Sequence, residues 1–265
     1  MRIEQADDPR LIPFTDVREK DLVGRDHYCI LEGVRVLEIA LTQDRLPLHS
    51  VLISDAKALG LADLIAHLET RAPVFIVEQS VMDRIVGFPI HRGVLALAQK
   101  PTAPHLGDLL QGLPDNALVV AAIGLSNHDN VGALFRNAAA FGVDALAFDK
   151  TCADPFYRKA IRVSLGHVLR LPFGVVEDDH AVIDALETAE FDVLALSPAG
   201  DRPVRALSNQ TRFGRRTALL LGPEGPGLSD AALARTETVS IPMAAGVDSL
   251  NVATAAAVAL SHLRR

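Results

Sequence analysis

Short apolar runs alternate with helical periodicity along the second half of the chain. The apolar runs are typical of buried strands and fall at Ala117–Gly124, Ala145–Asp149, Val168–Leu171, Val193–Ser197, Ala218–Gly222 and Thr238–Ile241. Helical patterns fall at Val131–Phe141, Ala181–Ala189 and Leu250–Leu263. Apolar strands that alternate with helices predict a parallel sheet covered on both faces. Ligands of such sheets bind in loops beyond the carboxyl ends of the strands, so these loops are the first place to look for a site.

The first hundred residues carry a smaller pattern of the same kind. Apolar residues repeat with a helical period over Tyr28–Leu41, and shorter helices are predicted at Leu59–Leu68 and Val81–Val86. Predicted strands fall at Val51–Ile53, Val74–Val77 and Val94–Ala98. The pattern predicts a small α/β domain, preceded by a polar leader, over residues 1–100.

A proline-rich stretch separates the two regions. Pro101, Pro104 and Pro114 surround a short amphipathic segment, and prolines at this density interrupt regular elements. We therefore predict a linker over residues 101–116 and a second domain over residues 117–265.

The charged residues give mixed indications about whether the protein binds nucleic acid. The net charge of −7 argues against it, because phosphate binding depends mainly on Lys and Arg. The basic residues nevertheless collect in three groups, which suit either a phosphate surface or an ordinary solvated face. The groups are Arg10, Arg18, Lys20, Arg25 and Arg35; Arg158, Lys159 and Arg162; and Arg202, Arg205, Arg212, Arg215 and Arg216.

The compartment is predicted from the cysteines and the apolar runs. Cys29 and Cys152 lie in unrelated contexts without metal-ligand spacing, which favours buried thiols in a reducing compartment. The apolar runs are too short to cross a bilayer, and the charged start of the chain lacks an export signal. We expect a cytoplasmic protein that does not associate with membranes.

The first loop of interest lies within IGLSNHDNVGALFRNAAAFG, residues 123–142. Its helix has an apolar stripe, and Arg136 projects from the opposite side. Asn130 is well placed to cap this helix, so capping and a role in a site remain alternatives for it. Arg136 is either a solvated helix residue or a ligand-binding one.

The second loop, LLLGPEGPGLS, follows an apolar strand and contains Gly222, Gly225 and Gly227. Glycines allow a backbone to approach a ligand closely, or allow a sharp turn before a helix capped by Ser229. The loop lacks the Lys-Ser/Thr ending of a nucleotide phosphate-binding loop. Its single charge, Glu224, suits a cationic ligand or a ribose hydroxyl rather than a triphosphate.

The third loop, within SIPMAAGVDSLNVATAAAVALSH, leads into an alanine-rich helix. Ser249 is the expected helix cap. Asn251 falls at the second helical position, where capping does not explain it, and is therefore a candidate site residue. A helix without a polar face must be buried, either within its own chain or against a second subunit.

Together and in this order, the three loops resemble the signature motifs of the SpoU (TrmH-like) family of RNA ribose methyltransferases, in the knotted SPOUT superfamily. Asn-x-Gly-x-x-x-Arg is Asn130–Arg136, Gly-x-Glu-x-x-Gly is Gly222–Gly227, and Ser-Leu-Asn is Ser249–Asn251. The resemblance runs from about Leu118 to Leu263. In addition, EGVRVLEIAL and HRGVLALA resemble the family's accessory RNA-binding domain, which is similar to a ribosomal protein.

The resemblance implies a trefoil-knotted α/β domain that methylates a ribose 2′-hydroxyl of rRNA or tRNA, using S-adenosylmethionine and no metal. It implies a homodimer in which Arg136 reaches the partner's site and activates the hydroxyl while pairing with an RNA phosphate. Because a guanidinium is not deprotonated in proteins, we expect Arg136 to act as a phosphate clamp instead and leave the base unassigned. The cofactor-binding residues it implies are Ser197, Leu221, Gly222, Gly227, Ile241, Met243 and Leu250. The catalytic set it implies is Arg136, Asn130, Glu224, Ser249 and Asn251.

Two alternatives remain. One is a methyltransferase of the same knotted fold that acts on an RNA base, and the other is an inactive RNA-binding module. The intact motifs favour an active ribose methyltransferase over both.

Overall fold

The computed structural model describes residues 1–15, 27–43, 46–207 and 215–263 of the chain. The described strands, in chain order, are β1 (Tyr28–Glu32), β2 (Leu48–Ser54), β3 (Val74–Val77), β4 (Val94–Gln99), β5 (Leu118–Ala122), β6 (Ala145–Asp149), β7 (Phe173–Val176), β8 (Asp192–Leu196), β9 (Arg202–Pro203), β10 (Thr217–Leu221) and β11 (Glu237–Ser240).

The described α-helices are α1 (Val34–Leu41), α2 (Asp55–Ala58), α3 (Ala62–Glu69), α4 (Gln79–Val86), α5 (Leu106–Gln111), α6 (His128–Ala140), α7 (Arg158–Val163), α8 (Asp179–Thr188), α9 (Asp230–Ala234) and α10 (Val252–Leu263). Short 3-10 helices cover Pro9–Phe14, His167–Leu169 and Val204–Ala206.

These elements form two compact units. The first comprises Met1–Pro101 and Phe156–Arg170, and the second comprises Thr102–Pro155 and Leu171–Arg265. The segment Phe156–Arg170 therefore packs with the first unit, although the sequence pattern placed it in the second region.

The first unit is built on a four-stranded sheet in the order β1-β4-β2-β3. Strand β4 runs antiparallel to β1 and β2, and β2 and β3 are parallel. Ile30, Leu52 and Leu95 point from one face of this sheet into a core that contains Met82 and Ile85 of α4. Helix α7 packs near β1 within the same unit.

The predicted single helix over Tyr28–Leu41 is wrong. The structure has β1, then Gly33, then α1, and Gly33 adopts φ +101° and ψ 153°, which no helix contains. The apolar run that begins at Cys29 is a buried strand whose spacing happens to fit a helical period.

The second unit contains a seven-stranded sheet in the order β7-β6-β5-β10-β8-β11-β9, and every pairing is parallel. On one face, Val119 and Leu220 join a core with Ile183 of α8. On the other, Phe135 of α6 stacks on Phe148 of β6 with ring centroids 5.7 Å apart. The prediction of a parallel α/β sheet covered on both faces is confirmed.

Two elements of this unit differ from the sequence pattern. The predicted strand at Val168–Leu171 is wrong, because that stretch contains a 3-10 helix and the strand begins only at Phe173. Helix α5 forms inside the stretch predicted as a linker, and its Leu106 and Leu110 are fully buried. Gly174 of β7 allows α5 to pack closely on this strand, since a Cβ atom at Gly174 would lie 2.8 Å from the Cα of Leu106.

Candidate active site

The three motif loops begin at one edge of the parallel sheet. They follow β5, β10 and β11, and β8 separates the last two of these strands. The amide of Ile123 donates to the carbonyl of Leu221 over 2.9 Å, which extends the pairing of β5 and β10 to the start of both loops. All three motifs therefore start beyond the carboxyl ends of parallel strands of one sheet, where α/β sheets bind ligands.

The first motif helix is capped by a residue that the sequence analysis did not single out. Asn127 accepts a hydrogen bond from the amide of Asp129 over 2.9 Å and is the N-cap of α6. Of the two alternatives for Asn130, capping is excluded, because Asn127 is the cap and Asn130 lies within the first turn, where it is 6% exposed. Arg136 is exposed on the side opposite the buried Leu134, as the helical pattern predicts.

Asn130 joins the three motifs. Its Nδ2 donates to Oε1 of Glu224, and its Oδ1 accepts from Nδ2 of Asn251 over 2.9 Å. These partners are 94 and 121 residues away along the chain. A buried amide requires partners for both its donor and its acceptor, and Asn130 has both. We call the set of Asn130, Glu224 and Asn251 the motif triad.

Asn251 also performs the capping role that was predicted for Ser249. Oδ1 of Asn251 accepts from the amides of Ala253 and Thr254 over 3.0 and 3.2 Å, and α10 begins at Val252. The prediction that Ser249 caps this helix is therefore wrong; Ser249 is exposed two residues before Asn251. With its acceptor engaged by the helix, the Asn251 amide is fixed so that its donor faces Asn130.

The glycine-rich loop folds back onto its own first residue. A Cβ atom at Gly222 would lie 2.6 Å from the amide nitrogen of Leu228 and 2.8 Å from the carbonyl carbon of Gly227. Gly227 also adopts φ +72°, in the left-handed region that favours glycine. Glu224 stands exposed at the tip of this loop. The loop therefore makes the sharp turn that its glycines allow, and this turn places the Glu224 carboxylate beside Asn130.

The residues expected to bind a cofactor lie at the ends of β10, β8 and β11. Leu221 is buried at the last position of β10, and Ile241 and Met243 are half-buried just after β11. The amide of Ser197, after β8, donates to the carbonyl of Val239 over 2.9 Å. The side chain of Leu250 is 39% exposed and is therefore accessible to a ligand.

Two further residues that support the site were missed by the sequence analysis. Nδ2 of Asn137 donates to the carbonyl of Ala253 over 2.7 Å and ties α6 to α10. Asp149, which is 3% exposed at the end of β6, accepts from the amide of Gly124 over 3.0 Å and so holds the start of the first motif loop. The sequence did offer a signal for Asn137, because it is a polar residue that directly precedes three alanines in α6.

Cys152 packs beside Asp149 as an unreactive thiol. Its Sγ donates to Oδ1 of Asp149 over 3.0 Å, and the carbonyl of Ala122, 3.3 Å away, is an alternative acceptor for the same proton. Burial first, and then the hydrogen bond to Asp149, raises the pKa of Cys152 to about 12. The thiol therefore stays protonated at neutral pH and is a structural group rather than a nucleophile.

The basic groups found in the sequence do not all face solvent. Arg158 is buried, and Arg216 donates to the carbonyls of Leu110, Ala189, Gln111 and Leu113 at the ends of neighbouring helices. These two arginines stabilise the fold, and interpreting them as a phosphate surface is wrong. Four members of the groups, Arg18, Lys20, Arg25 and Arg212, lie outside the described residues.

Across residues 1–15, 27–43, 46–207 and 215–263, no group of three or more His, Cys, Asp or Glu is placed to hold a metal ion. Among the helices of these same ranges, none is long and apolar enough to span a membrane.

Family models match both parts of the chain. The model of the SpoU rRNA Methylase family matches residues 117–261, and that of RNA 2′-O ribose methyltransferase substrate binding matches residues 30–104. An uncharacterized tRNA/rRNA methyltransferase of Mycobacterium tuberculosis (strain ATCC 25618 / H37Rv) is 40% identical over 270 residues, which cover 98% of this chain and 90% of the relative. One from Synechocystis sp. is 29% identical over 246 residues, covering 89% and 83%.

Solved structures share the fold along the whole chain. A crystal structure of an RNA 2′-O ribose methyltransferase has a TM-score of 0.80 at 26% identity and covers 99% of this chain and 98% of that one. An AdoMet-bound rRNA methyltransferase from Sinorhizobium meliloti has a TM-score of 0.81 at 21% identity, covering 100% and 97%. The first family match spans more than half of the sequence and contains all three motifs, so the chain belongs to the SpoU rRNA methylase family.

Proposed function

We propose that this protein transfers a methyl group from S-adenosylmethionine to a ribose 2′-hydroxyl of rRNA or tRNA, without a metal. The observation that carries the proposal is the motif triad, in which one residue of each signature motif meets at the ends of parallel strands. The match of the N-terminal region to a 2′-O ribose methyltransferase substrate-binding model supports the ribose as the target.

The residues around the strand ends suit S-adenosylmethionine. Ile241 and Met243, which are half-buried just after β11, offer apolar surface for an adenine ring. Gly222 lacks a side chain at the point where the loop turns, so backbone groups can approach a ligand closely. The Glu224 carboxylate suits a ribose hydroxyl or the positive charge of the sulfonium.

Methyl transfer to a ribose hydroxyl depends mainly on aligning the 2′-oxygen with the methyl group. The 2′-oxygen attacks the methyl carbon, the carbon–sulfur bond breaks, S-adenosylhomocysteine leaves, and the hydroxyl proton passes to water. Because the sulfonium is already a good leaving group, holding the oxygen in line with the methyl group supplies most of the acceleration. We assign no general base within the motif triad, and the cofactor needs no metal to activate it.

Arg136 is proposed as a clamp for an RNA phosphate that also stabilises negative charge developing on the 2′-oxygen. A guanidinium is not deprotonated in proteins, so Arg136 does not serve as the base. Its side chain is exposed, and among the described residues it forms no ion pair, which leaves all its donors available.

We further propose a homodimer in which Arg136 completes the site of the partner, and a trefoil knot around the cofactor loops. Arg136 stands outside the motif triad of its own chain. Helix α10 buries one stripe, Ala253, Ala256, Ala259 and Leu260, against its own chain, while Val258 and Leu263 stay half-exposed. A second subunit would cover these remaining apolar side chains.

The proposed compartment is the cytoplasm, where rRNA and tRNA are available. Cys29 and Cys152 are thiols that form no disulfide with each other, which is consistent with a reducing environment.

Product analysis tests the proposal against its alternatives. Total RNA from a strain lacking the gene would be incubated with the protein and methyl-labelled S-adenosylmethionine, then digested to nucleosides. We expect label in a 2′-O-methyl nucleoside. Label in a base would favour a base methyltransferase, and calorimetry showing no binding of S-adenosylmethionine would favour an inactive RNA-binding module.

A further inference from the structure

A buried carboxylate in the first unit is surrounded by three arginines. Glu32, the last residue of β1, is 4% exposed. Its Oε2 lies 2.7 Å from Nη1 of Arg158, and its Oε1 lies 3.7 Å from Nη1 of Arg162 and 3.9 Å from Nε of Arg92. One negative charge thus faces three positive charges at the end of this strand.

Arg158 is the member that balances Glu32. Its side chain is 7% exposed, hydrogen-bonds to the carboxylate, and lies over the ring of Phe88 at 5.0 Å from the centroid. A buried carboxylate and a buried guanidinium at hydrogen-bond distance neutralise each other, and both need the pairing to stay buried. Arg158 is therefore structural, and the surplus charge belongs to the other two arginines.

Arg92 and Arg162 keep their hydrogen-bonding capacity. Their side chains are 45% and 32% exposed, and both lie beyond hydrogen-bond distance from Glu32. In the part of the chain that the structure describes, Glu32 is the sole ion-pair partner of each. Two half-exposed guanidiniums share a carboxylate that Arg158 already neutralises, so the cluster of these four side chains carries a net positive charge of about two.

The backbone is shaped to admit Arg92. Gly33 adopts φ +101°, and a Cβ atom there would lie 3.0 Å from Nη1 and 3.2 Å from Cδ of Arg92. The glycine after β1 therefore leaves room for the Arg92 side chain across the end of the strand. Gly93, which follows Arg92 in the chain, likewise leaves room for a basic side chain. A Cβ atom at Gly93 would lie 2.8 Å from the Cγ of the exposed Lys57.

We propose that Arg92 and Arg162 form a binding site for a phosphate of the substrate RNA backbone. This inference rests on the proposed function in that it takes the anion to be RNA. Paired guanidiniums with free donors match the geometry of phosphate oxygens, and a phosphodiester supplies the negative charge that the cluster lacks. Glu32 and Arg158 act as positioning residues that hold the pair at the end of β1.

RNA binding by the full chain tests the site. The probe is total RNA from a strain lacking the gene, in filter binding between 50 and 200 mM salt. Arg92→Gln and Arg162→Gln should each weaken RNA binding about tenfold, because each removes one phosphate contact. For the same reason, the negative slope of log affinity against log salt should become shallower by about 1 in each variant. The affinity for S-adenosylmethionine should stay unchanged.

Arg84→Gln is the matched control. Arg84 is an exposed arginine of α4 in the same unit, without an ion pair among the described residues, and its loss should leave both affinity and slope as in the wild type. An equal effect of Arg84→Gln would overturn the assignment, because it would show a diffuse charge effect rather than a site.

Glu32→Gln separates the proposed site from a purely structural cluster. It removes the negative charge and retains an acceptor for Arg158, so RNA affinity should increase and the salt slope should steepen while the melting temperature falls. Unchanged RNA affinity in folded Arg92→Gln and Arg162→Gln proteins would overturn the inference. If the wild type still methylates RNA in that case, the proposed function stands; if the wild type methylates no RNA, the proposed function fails separately.

Discussion

Asn251 donates its side-chain amide to Asn130 over 2.9 Å, while its oxygen caps helix α10. One side chain therefore both starts the C-terminal helix and orients the residue that holds Glu224. The two duties use opposite ends of the same amide, so substitutions can separate them.

Asn251→Asp should retain the helix cap and remove activity. A carboxylate still caps the helix but cannot donate to Asn130, so the buried Asn130 oxygen loses its partner and the free energy of unfolding should fall by about 1–3 kcal/mol. We expect methyl transfer to drop about a hundredfold through loss of alignment. Asn251→Ala should also lose the activity and should be about 1 kcal/mol less stable than Asn251→Asp, because it loses the cap as well. Denaturant unfolding and methyl transfer, measured on both variants, check this; equal stability of the two would contradict the capping role.

Arg136→Ala should leave cofactor binding intact and abolish methyl transfer. Arg136 lies outside the motif triad and the strand-end residues, so calorimetry with S-adenosylmethionine should give a wild-type dissociation constant. Loss of cofactor binding in a folded variant would show that its assignment as a phosphate clamp is wrong.

Mixing the Arg136→Ala and Asn251→Asp proteins tests whether Arg136 acts across a dimer. After subunit exchange, a mixed dimer has one site with both an intact Arg136 and an intact Asn251, so partial activity should return. No recovery despite demonstrated exchange would contradict the shared site, and a monomer in ultracentrifugation would contradict the dimer.

Gly222→Ala should impair cofactor binding. The added methyl group would lie 2.6 Å from the Leu228 amide and force the glycine-rich loop open, at a cost of about 1–3 kcal/mol. Gly112→Ala is the matched control in the same unit, because its Cβ would lie 3.5 Å from the nearest atom, an ordinary contact. We expect weaker S-adenosylmethionine binding by Gly222→Ala alone; equal affinities for both variants would rule out a tight fit at Gly222.

Cys152 should make stability fall at alkaline pH. Its pKa is raised from the ordinary value of 9.0 to about 12 in the folded protein. Between these values the unfolded thiol loses its proton and the folded thiol retains it, so the unfolded state is favoured as pH rises, by up to about 1.4 kcal/mol per pH unit. Comparing the pH dependence of unfolding of wild type and Cys152→Ser isolates this contribution. Parallel curves for the two proteins would show that burial does not shift this thiol.

The sequence was sufficient to predict the strands that are apolar throughout, because a parallel sheet buried on both faces requires them. It also identified Asn130, Glu224 and Asn251 as candidates through their motif spacing. It could not decide which polar residue caps each helix, since Asn127 and Asn130, or Ser249 and Asn251, differ only in contacts made after folding. The burial of Arg158 depends on Glu32, 126 residues away, and no local pattern reveals such a pairing.

Alkaline hydrolysis of RNA tests the central claim most directly. A 2′-O-methyl group removes the hydroxyl that cleaves the adjacent phosphodiester, so a methylated nucleotide is protected. RNA would be sequenced after hydrolysis from a strain lacking the gene and from the same strain complemented with the wild-type or the Asn251→Asp gene. We predict one or more rRNA or tRNA positions that are protected with the wild-type gene alone. Identical cleavage in all three strains, with the proteins expressed, would contradict ribose 2′-O-methylation by this protein.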